Sequence, residues 1–566
     1  MYIANYSRRT KAVFLLSFVF FAFALLRLLY IQFFRSSYLE EIAAKQHNCF
    51  MELEPRRGTI FDRNLNPQAV NLPCDSVFAS PIEMKDDDKE SVMRQVMETL
   101  KLDHSFLKNR FSRRKSFVWL ARKVNQNQAE ALRVLKLKGI GFVKESKRCY
   151  PNSYLTSQII GFAGLDNVGL EGMELYYDRY LRGKAGNAIV LRDARSTKLD
   201  IYGKTEMPED GKDIVLTIDE MVQYIAEREL DKAFRSSRAK GATIVVMDPK
   251  TGQILAMASR PTFDCNAYKG VNKEQIRNRA ICDMFEPGSV FKIVTAAAVI
   301  EEGKFSEQDK IFCENGEWHY GNGKRSLHDH TAHGWLTFQE VIENSSNIGT
   351  CKAAVKLGAQ RMYKYIKAFG FGQKTGIEFP GEINGIVPDI KNWSGASIYN
   401  IPMGQGIGVS AIQLAGALSV IANGGTLMKP YIVMEIRDKS GKIEKAYSPT
   451  PVRTVISSDT AARVRKILVG VIENGTGKLA KSQEFTAGGK TGTAQKIESN
   501  GTYSHSKFNA SFVGFAPAED PQVVIAVIID EPRGFYYGGV ISAPVFKNVA
   551  GDVLKYLKSR QELQSE

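Results

Sequence analysis

An α+β fold is what the sequence predicts, and three observations carry the prediction. "ATIVVMDPKTGQILAMAS" (242–259) reads as a strand, a D-P-K-T-G turn and a second strand, hence a hairpin. Near the end, "FTAGGKTGTAQ", "NASFVGFAP" and "QVVIAVIID" read as three further strands. Between the two groups, residues 276–425 read as mostly helical, and "APVFKNVAGDVLKYLKSR" closes the chain as an amphipathic helix. Five strands with a helical insertion after the second, and helices at both flanks, imply one antiparallel sheet.

At 566 residues the chain is long enough for two or more domains. Residues 12–34 are apolar apart from Ser17, Arg27 and Gln32, long enough to cross a bilayer as a helix. Arg8, Arg9 and Lys11 precede the run, which implies a cytoplasmic tail, 1–11, and everything later outside. A cleaved signal peptide has a shorter apolar region and a small-residue cleavage site, so an uncleaved single-pass anchor is expected. Residues 35–235 mix short strands and polar helices, and 236–566 form the domain predicted above. The net charge of +15 is concentrated in 101–148, which suits an anionic surface or an ordinary solvated face. No nucleic-acid-binding motif accompanies it, so nucleic acid is not expected as a partner. Seven scattered cysteines without a C-x-x-C pair argue against a disulfide framework.

"FEPGSVFKIVTAAAVIEEG" (285–303) places Lys292 inside an otherwise apolar run. Read as a helix from Ser289, it puts Ser289 and Lys292 on one face, with Ser289 in the first turn, where free N–H groups favour developing negative charge. Burial drives a lysine toward its neutral form, and a neutral amine beside a hydroxyl is a base beside a nucleophile. The plain alternative is a core serine with a lysine that snorkels to the surface. "ENSSNIGT" adds Ser345-Ser346-Asn347, and "AGGKTGTAQ" adds Lys490-Thr491-Gly492-Thr493 on a strand. S-x-x-K, S-x-N and K-T-G in this order form the serine acyl-transfer set. In that chemistry Ser289 attacks a carbonyl and Lys292 takes its proton, directly or through Ser345, which passes it to the leaving amine. Lys490 is a second cation that discourages charge on Lys292. Lys490 and Thr491 hold a substrate carboxylate. Gly492 lets substrate backbone lie along the strand, the amides of Ser289 and Thr493 form an oxyanion hole, and Asn347 donates to a substrate amide.

With these motifs the chain resembles the class B penicillin-binding proteins, monofunctional D,D-transpeptidases that cross-link peptidoglycan. "RRGTIFDRN", "GLEGMELYYDRYLRGKAG", "MFEPGSVFK", "GQGIGVSAIQLAGALSVIANGG" and "GGVISAPVF" extend the likeness along nearly the whole chain. The resemblance implies a penicillin-binding, serine β-lactamase-like transpeptidase domain at 236–566. It implies a non-catalytic, dimerisation-type pedestal at 35–235, whose Arg57, Asp62, Arg63, Glu171 and Glu174 form structural ion pairs linking it to the catalytic domain. It further implies a plasma-membrane enzyme with an extracytoplasmic active site, D-Ala-D-Ala stem peptides as substrate, β-lactams as covalent inhibitors and no cofactor. "SSNIGTCK", "FGFGQKTGIEFPGE" and "KTGTAQ" look most like the division-specific subgroup, with the elongation-specific one as the alternative. No stretch before 235 reads as a glycosyltransferase, so a membrane-embedded one and other division-type membrane proteins are the expected partners.

Three other functions bear comparison. A class A β-lactamase needs an E-x-x-L-N stretch between Asn347 and Lys490, and none stands there. A D,D-carboxypeptidase fits the same motifs and stays as an alternative, since it differs mainly in admitting water in place of an amine. A non-enzymatic assembly scaffold leaves the intact motif set unexplained. His328, His330 and His333, with His319 and Cys313, could be read as a zinc site, but loop hydrogen bonding is the simpler expectation and no metal is assigned.

Overall fold

Residues 2–39, 48–113, 115, 117–192, 198–201, 206–320, 325–498 and 500–565 are described by the structure, a computed structural model. Met1 of the expected tail, Arg114 and Ser116 of the basic stretch, and the side chain of Cys49 lie outside the described residues. The other six cysteines are free thiols.

The chain divides into two units, one made of 1–56, 73–145 and 183–210, the other of 57–72, 146–182 and 211–566. In the first, the helix Tyr2–Phe34 leaves its apolar side chains exposed, and Arg8–Phe34 is long and apolar enough to cross a membrane. Helices Asp86–Leu100, His104–Phe111 and Gln126–Val134 share a small core of Val96, Leu107, Leu120 and Leu132. Asp103 and Asn125 cap two of these helices by accepting from Phe106 and Gln128 amides, as short polar side chains do at helix starts.

The second unit is built on five antiparallel strands: β1 (Gly241–Met247), β2 (Ile254–Arg260), β3 (Gly488–Ile497), β4 (Tyr503–Ala516) and β5 (Val523–Asp530). Their order is β2-β1-β5-β4-β3, which leaves β3 at one edge. Side chains alternate between faces along each strand. Ile244, Val246, Ile525 and Val527 point to the face covered by helices α1 (Glu220–Ser236) and α6 (Gly538–Ser565). Val245, Met247, Val524, Ala526 and Ile528 point to the other face. That face packs against α4 (Ala411–Ala422) and α5 (Ser458–Glu473), and α2 (Lys292–Glu301) and α3 (Asn347–Leu357) complete the same core. Both faces are covered, which is why β1 and β5 read as unbroken apolar runs.

Two expectations need correction. The helix through Lys292 does not start at Ser289: residues Gly288–Phe291 form a tight 3-10 turn, and α2 begins at Lys292. Such turns are frequent at helix starts, and residues three apart still share a face in them. The insertion is also less helical than expected. Strands Lys310–Phe312 and Trp335–Thr337 pair, as do Glu317–Tyr320 and Arg325–His328. Each spans three or four residues, too few for a period to show.

Of the five charged positions expected to ion-pair, only Arg57 and Glu174 pair with each other, 2.6 Å apart and all but inaccessible at 1% and 0% exposed. Arg57 also reaches Asp178 at 2.6 Å, and Arg148 takes the other oxygen of Glu174 at 2.6 Å. Burial by itself lowers the affinity of the Arg57 guanidinium for its proton, yet Glu174 and Asp178 outweigh it and hold the group above its usual range. Asp62 instead accepts from the amides of Asn64, Asn66 and Glu220, closing a turn onto the start of α1. Arg63 donates to Gln253, and Glu171 has no ion-pair partner among the described residues. Removing one partner of a buried pair strands the other charge without water. Glu174→Ala, which leaves Arg148 without a carboxylate and Arg57 with Asp178 alone, is therefore expected to destabilise the second unit by about 3–5 kcal/mol in denaturant unfolding. A loss below about 1 kcal/mol, the range of an exposed pair, would show that water replaces the carboxylate there.

Candidate active site

The three motifs come from separate elements that the fold brings together. Ser289 lies in the 3-10 turn, half-buried, and Lys292 follows as the first residue of α2 with no exposure at all. Gly288 takes a left-handed φ of +54° and Gly404 one of +83°. A Cβ on Gly404 would stand 2.2 Å from the Gly288 carbonyl oxygen, so the 401–406 loop presses backbone to backbone on the serine turn.

Ser345 ends the turn before α3 in a left-handed conformation, φ +59°. Its carbonyl accepts from the Lys292 ammonium at 2.6 Å, its hydroxyl at 3.2 Å, and Asn347 Oδ1 at 2.8 Å. Ser289 Oγ makes no hydrogen bond among the described residues. Burial lowers the Lys292 ammonium to about 8, against a smaller upward pull from Asp329 and Cys351.

Lys490 stands on the edge strand β3, also without exposure, and among the described residues its ammonium finds only the Thr491 carbonyl, at 3.3 Å. Burial pushes it well down, and the charge of Lys292 pushes it further. Both lysines are thus held below their ordinary range chiefly by burial, and Lys490 has fewer oxygen partners to hold a proton. Thr491 shares a hydrogen bond with Thr476 at 2.8 Å, and Thr493 Oγ1 accepts from the Gly538 amide at 3.1 Å. At Gly492 a Cβ would meet Ser511 Oγ at 2.4 Å, Val290 at 2.8 Å and the Pro287 carbonyl at 3.0 Å. The glycine lets β3 lie directly against the serine turn.

Ser289, Lys292, Ser345 and Asn347 on one side and Lys490 to Thr493 on the other thus come together where the sequence motifs predict. Sequence reasoning missed two acidic residues. Asp329 sits within "HDHTAHGW", where the histidines drew the reading. It accepts from the Ser346 hydroxyl at 2.6 Å and from the Ile348 amide at 3.0 Å, as well as from the Asn347 amide, so it caps α3 and fixes the turn that carries Ser345 and Asn347. Glu286 accepts from the Gly406 amide at 2.7 Å and the Tyr503 hydroxyl at 3.3 Å, tying the serine turn to two neighbours. Its carboxyl is raised by burial. Two of the histidines meet at one carboxylate and a third packs elsewhere. His328 and His319 lie 3.4 and 3.5 Å from Glu317, and His330 packs against Tyr537 at 5.5 Å between ring centres. No group of three or more metal-ligating side chains occurs among the described residues.

Comparison with known proteins places this geometry. Residues 242–551 match the penicillin binding protein transpeptidase domain, and residues 52–216 the penicillin-binding protein dimerisation domain. "Stage V sporulation protein D" of Bacillus subtilis is 37% identical over 98% of this chain and 87% of its own length. "Probable peptidoglycan D,D-transpeptidase PenA" of Neisseria gonorrhoeae is 34% identical over 95% of this chain and 91% of its own. "Peptidoglycan D,D-transpeptidase FtsI" of Escherichia coli K12 is 31% identical over 89% and 84%. Among solved structures, penicillin binding protein 3 of Mycobacterium tuberculosis, complexed with aztreonam, superposes with a TM-score of 0.71. It is 29% identical and covers 90% of this chain and 97% of that one. The chain belongs to the class B penicillin-binding proteins, and its C-terminal domain is a serine-type transpeptidase domain.

Proposed function

We propose that the protein cross-links peptidoglycan stem peptides through an acyl-enzyme on Ser289 and that β-lactams block it by acylating the same hydroxyl. The observation that supports this best is Lys292, wholly buried, near 8 and hydrogen-bonded to Ser345 and Asn347. At neutral pH an amine of pKa about 8 is about one-tenth unprotonated, several hundred times more than an ordinary lysine. Ser289 Oγ attacks the carbonyl of the penultimate D-alanine as Lys292 takes its proton. Ser345 relays that proton to the departing D-alanine amine, and the amino group of a second stem peptide then attacks the ester. The Ser289 and Thr493 amides hold the oxyanion, and Asn347 and Gly492 seat the substrate backbone along β3.

Lys490 and Thr491 take the terminal carboxylate, which gives the two lysines a division of labour. Two buried ammoniums side by side repel each other, and without substrate Lys292 is the one with partners for the proton. A carboxylate bound at Lys490 favours the charged form of that lysine and leaves Lys292, held by Ser345 and Asn347, as the base.

The helix Arg8–Phe34 supports a single-pass anchor in the plasma membrane, and Arg8, Arg9 and Lys11 support a cytoplasmic N-terminus. The active site then faces peptidoglycan outside, beside a membrane-embedded glycosyltransferase that supplies glycan strands. The SSNIGT and KTGTAQ sequences favour septal synthesis. The relative named as a stage V sporulation protein favours a second reading, a role confined to spore formation.

Labelling with fluorescent penicillin should place the adduct on the Ser289 peptide and disappear in Ser289→Ala. Lys292→Arg keeps the charge but cannot act as base, so its acylation should fall by about a hundredfold or more. An adduct that survives Ser289→Ala, or near-normal acylation by Lys292→Arg, would refute the assigned roles.

The pH profile follows from the same lysine. Its reactive form is the neutral one, so the acylation rate should climb about tenfold per unit below about 8 and level off above. Asp329 pulls Lys292 upward, and Asp329→Asn should move the midpoint to lower pH and lower the plateau through the loosened turn. A flat profile between pH 6 and 9 would remove Lys292 as the base.

In cells, protease added to spheroplasts should digest the body, and depletion should give filaments that keep growing in length. A body protected until lysis would overturn the topology. Swollen cells that still divide would assign the protein to elongation, and normal growth with defective spores would assign it to sporulation.

A further inference from the structure

The second unit holds a recess of about 140 Å3, apart from the serine site, with room for several waters or a short aliphatic chain and its head group. Phe263, Ile276 and Phe379 form apolar walls, and Glu171, Arg277 and Cys282 bring the chemistry. The charges there do not balance. Arg277 is answered by Asp283 at 2.5 Å and by Glu274 at 3.9 Å. The Glu171 carboxylate has neither hydrogen bond nor ion pair among the described residues, and burial raises it with no cation to oppose the shift. The Cys282 thiol is likewise unbonded, and a Cβ on Gly381 would lie only 3.0 Å from its sulfur, so the wall is shaped closely around it. A half-buried carboxylate without a counter-charge, in a recess that two aromatic rings also line, suits a cation that carries its own apolar body.

The recess is also joined to the serine turn. Cys282 ends the short helix Arg279–Cys282, and the chain then runs through Phe285 to Ser289. Phe285 is clamped to Val409 by paired backbone hydrogen bonds of 3.0 and 2.9 Å, so a shift of the helix is passed along the backbone and not absorbed by a loose loop.

We propose that this recess is a second ligand site, for a primary ammonium on a short aliphatic stem, and that its occupation changes the rate of acylation at Ser289. A small diamine and the side-chain end of a lysine present the same chemistry. Glu171 holds the ammonium, Phe263 and Phe379 flank it, and Ile276 lines the stem. Only the link to acylation rests on the role given to Ser289; the binding itself is tested without it.

Cys282 is a built-in reporter. With a methanethiosulfonate reagent its thiolate attacks the sulfenyl sulfur, a disulfide forms and methanesulfinate leaves, with no outside oxidant. The full chain in detergent is treated with ethylammonium or ethylsulfonate reagents, the rates are normalised to free cysteine, and peptide mass mapping isolates Cys282. The ethylammonium reagent should react about tenfold faster, as electrostatic steering by one carboxylate allows. Excess n-pentylamine should slow the reaction and pentanoate should not. Glu171→Gln should bring the ratio near one; the ratio is the readout because altered thiol acidity affects both reagents equally. Saturating n-pentylamine should change the penicillin acylation rate at least about twofold in the native chain and not in Glu171→Gln, the scale of a modest coupling between sites. Equal rates for the two reagents in the native chain, or protection by pentanoate, would overturn the ammonium site. Unchanged acylation while Cys282 is protected would overturn the link to Ser289.

Discussion

The ammonium of Lys292 sits where no water reaches, held by two oxygens of Ser345 and one of Asn347 and by no carboxylate. A directly paired aspartate would lock the proton in place, and an open position would return the lysine to its solution value. The wrapping comes from the apolar helix that follows, from Cys351 on α3 and from the sheet. Most of the second unit's architecture can be traced to that requirement. The SxN turn must supply oxygen atoms from one side, which needs Ser345 in a left-handed conformation and Asp329 to cap the helix after it.

That turn marks how far the sequence could be read. Ser289, Lys292, Ser345, Asn347 and Lys490 to Thr493 were legible because each motif is local: three or four neighbouring residues whose chemistry makes sense together. The sheet was legible for a similar reason, since β1, β2, β4 and β5 are apolar on both faces or alternate cleanly. Asp329 was not, because its partners are Ser346 and the amides of Asn347 and Ile348, and nothing in "HDHTAHGW" says that the aspartate turns toward them and the histidines do not. A family likeness marks Arg57 and Glu174 among five ion-pairing positions, but which of them meet, and the share taken by Arg148 and Asp178, depends on how distant segments come together. The 3-10 start at Gly288–Phe291 was hidden because a 3-10 turn and the first turn of an α-helix place Ser289 and Lys292 on the same face.

The position of β3 is a second constraint. An edge strand presents unpaired backbone groups, which invite aggregation unless they are covered or used. Here the serine turn lies against β3 at Gly492, touching it through Val290 and the Pro287 carbonyl. In the proposed reaction the remaining edge is where a peptide adds as a sixth strand, its backbone aligned beside Lys490 and Thr491. An inner strand could not serve, because both its ladders are already paired, and any side chain at position 492 would push the turn away.

The glycines at 288, 404 and 492 tie these requirements together. A serine turn resting on a strand on one side and on a loop on the other needs backbone-to-backbone approach at each contact. At two of the three positions the backbone is also left-handed. Stiff, closely packed backbone on both sides keeps the serine turn in place, so that the reactive geometry is held by the scaffold and not by the substrate. Glu286 works in the same direction, since its carboxylate joins the residue just before Pro287 to the Gly406 amide and the Tyr503 hydroxyl.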